Sequence, residues 1–254
     1  MKLTFLGSGT SHGVPMIGCK CPVCTSNDVR DKRLRASVWL HDDERSIIID
    51  VGPDFRQQVL RAGVQSVDAV LLTHTHADHL NGIDDLRVFS QMSQRLIPFY
   101  ASEKDCQFIR AHFEYIFGDA SFSFKWGIPR LELIAVEEAF QLLGLEVVPI
   151  PLVHGSGNCT GYRIGDFAYL TDCSAIPEAS LKKLVGVNTI VIDGLRWKPH
   201  PTHFTIQDAL ESISILRPGR VYITHICHNV SHQADCEKLP KDVFLSYDGL
   251  EIEV

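Results

Sequence analysis

Nowhere in this 254-residue chain is there the run of about 20 apolar residues that a membrane-spanning helix needs. The opening Met1-Lys2-Leu3-Thr4-Phe5-Leu6 lacks the long apolar stretch and cleavage site of an export signal, so the expected location is the cytoplasm. Positive charge is in short supply: 24 Lys and Arg stand against 31 Asp and Glu, a net charge of −7 with pI near 5.9. That balance argues against a bulk footprint for nucleic acid or an anionic membrane and leaves only local basic patches. Low-complexity segments, long linkers and residue-level repeats are missing too. We therefore expect one domain over 1–254, long enough to bury a substantial core. Without an export signal, the eight cysteines are expected as reduced thiols or metal ligands, not disulfides.

What remains is ordinary soluble composition, 45% hydrophobic and 22% charged, arranged in short apolar or β-branched runs. These predict strands over 3–6, 37–41, 46–50, 69–73, 97–101, 145–150, 161–164, 167–171, 189–193, 220–224 and 250–254. Helical periodicity covers 54–62, 104–117, 177–184 and 205–216. In the last, Thr205 is the expected N-cap, Asp208 completes a capping-box pattern, and Pro218-Gly219 ends the helix. Helices interrupt the strands without strict alternation, which suggests two sheets packed face to face with helices outside.

The chemistry concentrates in His74-Thr75-His76-Ala77-Asp78-His79, directly after the apolar run Val70-Leu71-Leu72. Alternating spacing throws His74, His76 and Asp78 to one side of an extended loop, with His79 beside them. Neutral imidazoles suit zinc, iron or manganese, and a carboxylate adds a harder, charge-compensating donor. The bland alternative is a polar loop whose histidines cap the following helix. Further donors sit at strand ends: His154 after 147–150, Asp172 after 167–171, Asp193 after 190–192 and His225 after 221–224. Polar residues at strand termini can meet at one sheet edge, held rigidly yet open to substrate.

A second constellation is Cys19-x-Cys21-x-x-Cys24 on a Gly/Pro-flanked loop. Three thiolates need a fourth donor for a tetrahedral structural zinc, and His228 is the candidate. A buried thiol cluster or an oxidised pair is the alternative, which a reducing compartment disfavours.

These residues resemble the metallo-β-lactamase superfamily. His74, His76, Asp78 and His79 match its His-x-His-x-Asp-His signature, and His154, Asp172 and His225 match the later ligands in order. The resemblance spans nearly the whole chain and implies an αββα sandwich (α/β class) holding two divalent metals at one edge. It implies that His74, His76 and His154 hold one ion, that Asp78, His79 and His225 hold the other, and that Asp172 bridges them. Manganese, zinc and iron are not separable from this donor set. The aspartate at 172, where true β-lactamases carry cysteine, points to phosphodiesterases, transfer-RNA 3′-processing nucleases and thioester hydrolases. Cys173 reads as a neighbour, not a ligand. The cysteine loop with His228 looks like the phosphoribosyl cyclic phosphate phosphodiesterases and their relatives, which implies one structural zinc and a homodimer. In that branch His203 matches a non-ligand active-site histidine, expected as general acid or transition-state stabiliser, with His200 its rival. Asp78 is the other catalytic candidate.

The expected activity is phosphodiester hydrolysis on a small cyclic or diester phosphate, with 5-phosphoribosyl 1,2-cyclic phosphate the best candidate. Two cations about 3.5–4 Å apart would acidify a shared water as nucleophile and screen the phosphate's charge. A transfer-RNA nuclease is the runner-up, disfavoured by the acidic balance and the lack of a basic, glycine-rich insertion. Thioester hydrolysis shares the ligand set. A non-catalytic, metal-stabilised binding protein is the alternative of a different class. Asp50 is expected to fix a ligand histidine's tautomer, and Arg196 or Lys198 to meet a distal phosphate or a surface carboxylate. The loop 7–11 is a weak anion-nest candidate or a plain turn. His12, His41, His112 and His232 receive no role. Cys106, Cys159, Cys227 and Cys236 read as small buried hydrophobes.

Overall fold

The computed structural model describes residues 1–118 and 127–254. In chain order the strands are β1 (Lys2–Gly7), β2 (Ser37–His41), β3 (Ser46–Ile49), β4 (Ala69–Leu71), β5 (Ile97–Ala101), β6 (Leu131–Ala135), β7 (Phe140–Leu142), β8 (Leu145–His154), β9 (Gly157–Ile164), β10 (Phe167–Leu170), β11 (Thr189–Asp193), β12 (Arg220–Thr224), β13 (Val243–Leu245) and β14 (Glu251–Glu253). The α-helices are α1 (Phe55–Ala62), α2 (Ala77–Leu80), α3 (Leu86–Ser93), α4 (Glu103–His112), α5 (Glu114–Phe117), α6 (Glu178–Lys183), α7 (Ile206–Leu216) and α8 (His232–Cys236). Among the described residues, one sheet runs β14-β1-β2-β3-β4-β5-β6 and the other β13-β12-β11-β10-β9-β8-β7. Both are mixed: β3 to β6 and β10 to β13 pair in parallel, the rest antiparallel.

Single-residue alternation sorts the strands into layers. Ile47 and Ile49 face the core between the sheets with Leu3, Phe5, Tyr162, Tyr169 and Val191. Ile48 faces the other way, into a core that Phe55 and Val59 of α1, Phe89 of α3 and Ile109 of α4 complete. Ile190 and Ile192 likewise leave the central layer for a third core with Ile206 and Ala209 of α7. Strands covered on both faces need continuous apolar runs, which is why Ser46-Ile47-Ile48-Ile49 and Thr189-Ile190-Val191-Ile192 carry them. The fold is the expected αββα sandwich.

The parallel strands place the site. In parallel strands the carboxyl ends share one edge, where ligands of open α/β sheets bind. Asp50, Thr73-His74, Asp172, Asp193 and His225 all stand at or just beyond such ends. Strand β8 reaches the same edge, because two antiparallel pairings separate it from β10, and it ends on His154.

Several expectations change in detail. The helix read over 104–117 is two, broken at Phe113 (φ −115°, ψ 46°), which packs toward the α1 side of the core. Strand β8 runs four residues past 150, through Pro149 and Pro151, to His154. Strands β6, β7 and β13 and helices α2, α3 and α8 were not expected. The capping box at α7 forms as read, with Asp208 N–H donating to Thr205 Oγ1 at 3.0 Å and Thr205 N–H donating to Asp208 Oδ2 at 2.8 Å. That helix ends at Leu216 as expected, with Arg217 in the left-handed region (φ 51°) just before Pro218-Gly219. No helix of the described residues is long and apolar enough to cross a membrane.

Candidate metal centre

At the edge where the parallel strands end, three non-glycine residues adopt left-handed backbone: Asp50 (φ 67°), Asp172 (φ 52°) and His225 (φ 59°). Such conformations cost of order 1–3 kcal/mol each and persist where the surroundings over-determine them. Here each turns a side chain from the end of a buried strand into one cluster.

The nitrogens of His74, His76 and His154 converge. His74 Nε2 lies 2.9 Å from His76 Nδ1, and His154 Nε2 lies 3.3 Å from the same atom. The rest of each network assigns the protons. Thr73 Oγ1 donates to the Asp50 carboxylate (2.9 and 3.0 Å), so it can only accept from His74 Nδ1 at 3.1 Å. His154 Nδ1 donates to the Thr202 carbonyl at 2.7 Å. In neutral His74 and His154 both Nε2 atoms therefore carry lone pairs aimed at His76 Nδ1, the tautomers that metal ligation through Nε2 needs. The three donors fit one metal ion.

Asp78, His79, Asp172 and His225 form the adjoining group. His79 Nδ1 donates to Asp50 Oδ2 at 2.7 Å, leaving its buried Nε2 with no hydrogen-bond partner among the described residues, 3.2 Å from both Asp78 Oδ2 and Asp172 Oδ1. His225 Nε2 lies 3.4 Å from Asp172 Oδ2 and 3.6 Å from Asp78 Oδ2. Burial alone would lower His79, yet Asp172, Asp50 and Asp78 outweigh it and raise its pKa well above the ordinary value. Burial would raise Asp172, yet His225 and His79 hold it well below the carboxylate range. Buried charges of this density require compensation by opposite charge. Asp172 stands between the groups: Oδ1 faces His79, while Oδ2, 3.4 Å from His225 Nε2, also lies 3.8 and 3.9 Å from His74 and His154 Nε2. The donor set fits two cations sharing one carboxylate.

The cysteine loop folds onto His228. Its Nδ1 lies 3.2, 3.4 and 3.7 Å from the sulfurs of Cys19, Cys21 and Cys24. A tetrahedral ion with Zn–S about 2.3 Å and Zn–N about 2.0 Å needs N···S edges of about 3.5 Å, so these donors fit a zinc. Backbone N–H groups of Met16, Cys21 and Cys24 point at the sulfurs. The Cys24 N–H foremost, with help from His228, brings the Cys21 thiol down to about 6.

His203 enters the cleft beside the ligands, its ring 4.6 Å from His225 and 4.8 Å from His154. His203 Nδ1 donates to Asp193 Oδ2 at 2.8 Å. His200 lies farther out, 5.2 Å from His203, with Nδ1 tied to Thr202. Asp50 takes the tautomer-fixing position expected of it, for His79 directly and for His74 through Thr73. Three further features were not foreseen. Asp193 orients His203, a role its strand-end position hinted at. Asp248 braces the opening loop through Ser8 and Leu34. His12, given no role, lines the cleft with Lys104 and Asp105. The anion nest at 7–11 is overturned for Ser8, Gly9 and Thr10, whose amides donate to Asp248, Leu34 and Ile226. Cys173 is buried with its sulfur toward the Leu170 carbonyl, away from the donors.

A family described as the beta-lactamase superfamily domain matches residues 45–226, and the chain belongs to that metallo-β-lactamase superfamily. Fold and donor cluster together are those of a metal-dependent hydrolase. A crystal structure of a diphosphatase from the PhnP family is similar at 41% identity and TM-score 0.92, covering 100% of this chain and 97% of that one. An octanoyltransferase of Porphyromonas gingivalis W83 is 41% identical over 99% of this chain, which spans about half (51%) of that protein. The zinc-bound PqqB of Methylobacterium extorquens shares the fold, with TM-score 0.78 at 20% identity over 100% of both chains.

Proposed function

We propose that this protein is a binuclear metal-dependent phosphodiesterase that hydrolyses a small cyclic or diester phosphate, with 5-phosphoribosyl 1,2-cyclic phosphate as the best candidate. The observation that carries the proposal is Asp172, whose carboxylate lies within 3.9 Å of imidazole nitrogens from both donor groups at the floor of a cleft of about 570 Å³. That volume suits a small molecule. His74, His76 and His154 would hold one ion, Asp78, His79 and His225 the other, and Asp172 both. When bound, such a pair supplies charge neutralisation at phosphorus and lowers the pKa of water to about 7.

The protein's own groups do the rest. Asp50 keeps the His74 and His79 rings in their ligand tautomers through the Thr73 hydroxyl and directly. Asp193 accepts from His203 Nδ1, so Nε2 is the nitrogen left to pass a proton to the departing oxygen or to stabilise its charge. Cys19, Cys21, Cys24 and His228 would hold a structural zinc that pins the loop 16–24 beside the cleft. The 41% identity to a PhnP-family diphosphatase supports chemistry at phosphorus and adds a diphosphate to the substrates worth testing.

The test is a substrate screen on metal-reconstituted protein. It compares 5-phosphoribosyl 1,2-cyclic phosphate, cyclic nucleotides, a chromogenic diester, a small organic diphosphate, an acyl thioester and precursor RNA. We expect turnover on the small phosphate substrates. Activity confined to the thioester or to RNA would overturn the reading.

A further inference from the structure

Three strands at the site edge end in the same pair, a threonine and then a candidate ligand. Thr73-His74 follows β4, Thr171-Asp172 follows β10, and Thr224-His225 closes β12. All three threonines are fully buried, yet their hydroxyls do different things. Thr73 Oγ1 serves Asp50 and His74. Thr224 Oγ1 has no hydrogen-bond partner among the described residues. Thr171 Oγ1 donates to Asp172 Oδ1 at 2.8 Å, and the Thr171 carbonyl is itself held by Cys159 Sγ at 3.4 Å. The terminal torsion of an aspartate is broad and roughly twofold, so burial alone does not decide which oxygen faces which neighbour. The hydroxyl does. A hydrogen bond to an ionised acceptor is roughly twice as strong as a neutral one, and this one keeps Oδ1 on the His79 side, 3.2 Å from Nε2. Oδ2 is thereby turned to the remaining nitrogens, 3.4 Å from His225 Nε2, 3.8 Å from His74 Nε2 and 3.9 Å from His154 Nε2. His225 belongs to one donor group, His74 and His154 to the other.

We propose that Thr171 is a positioning residue whose hydroxyl pins Asp172 so that one oxygen, Oδ2, is presented to both metal ions. The proposal rests on the two-ion reading above and deepens it, because it names the group that decides how the shared carboxylate is used. An oxygen common to both donor groups ties the two ions together, so a loosened carboxylate weakens both at once. Thr224 supplies the control: it has the same burial and the same place before a ligand, without a hydrogen bond from its hydroxyl among the described residues.

The test is zinc competition against a chelator, with ions counted per chain and the Tm of the metal-free protein measured alongside. The cysteine-loop zinc, which none of these variants touches, is the internal reference. Thr171→Val keeps the shape of the side chain and removes the donor. It is expected to weaken both cleft ions by about 10–100-fold, the range for a lost contact behind a metal ligand. Thr171→Ser, which keeps the hydroxyl, should bind both ions like the wild type, and so should Thr224→Val. If the valine is not tolerated, Thr171→Ala against Thr171→Ser decides, since those two differ only in the hydroxyl. Unchanged affinity in Thr171→Val, or a lower metal-free Tm with zinc held as tightly as before, would overturn the proposal. Equal weakening by Thr224→Val would overturn it too, by making the effect one of packing, and weakening of one ion alone would show that Oδ2 is not shared. A wild type that takes up only one ion besides that of the cysteine loop would sink the two-ion reading itself, and the role of Thr171 with it.

Discussion

Asp193 Oδ2 accepts the Nδ1–H of His203 at 2.8 Å, while its other oxygen lies 4.0 Å from His225 Nδ1. One buried carboxylate at the end of β11 thus orients a candidate proton-transfer group and stands beside a candidate ligand. Its effect on reaction should pass mainly through His203.

We expect His203→Ala to reduce kcat by roughly 10²–10⁴-fold with full metal content. Asp193→Asn should cost a comparable but smaller factor, and in the His203→Ala background it should add little, because the two act as a unit. Steady-state kinetics with metal analysis on the two single variants and the double variant measures this. Additive losses would show that Asp193 acts elsewhere, and metal lost with His203→Ala would make His203 a ligand.

Asp50 is buried, takes the protons of His79 and Thr73, and through Thr73 sets the tautomer of His74. It reaches one candidate ligand from each metal group, His79 directly and His74 through Thr73. Asp50→Asn should therefore weaken both ions, by about 10–100-fold in affinity. Competition with a chelator reads it out. A variant that binds both ions as tightly as the wild type would refute the role.

Cys21→Ser should remove one zinc per chain from the Cys19-Cys21-Cys24-His228 group while the catalytic donors keep their pair. Site and loop are coupled because the sulfurs gather backbone N–H groups from the loop itself. Binding free energy at a structural zinc is also folding free energy, so Tm should fall by several degrees. Calorimetry with metal stoichiometry tests it, and an unaltered zinc count would exclude the site.

Much of this was legible from residue order alone. Buried parallel strands need unbroken apolar runs, so β3, β11 and β12 announce themselves, and each hands a polar residue to the shared edge. The α7 capping box is equally local. Strand β6 was missed because Leu131–Ala135 is a partly exposed edge strand (Glu132 faces solvent), without clean alternation. The break at Phe113 was hidden because the apolar periodicity of 104–117 continues across it. Asp193's partnership depends on how two distant segments dock. The same holds for the amides of the opening loop, whose acceptors lie at positions 34, 226 and 248.

The last expectation concerns acid stability away from the metal donors. His232 is 4% exposed, packs edge-on against Tyr247 with ring centroids 5.4 Å apart, and has no partner for Nδ1 among the described residues. Burial first, then the charges of Arg30 and Arg33, lower its pKa to about 4, while Asp28 and Asp31 oppose them too weakly to compensate. Its ordinary value is 6.5. Between those values the unfolded chain binds a proton that the folded chain refuses, so stability rises with pH across this window. The contribution is complete above about pH 6.5 and is lost progressively as pH falls toward 4, a change of order 2–3 kcal/mol. His232→Phe keeps a ring against Tyr247 and removes the titration. Urea midpoints at pH 4.5 and 7.5 should therefore differ less in the variant than in the wild type. If the two proteins lost the same stability over that interval, the acid sensitivity would belong to other groups.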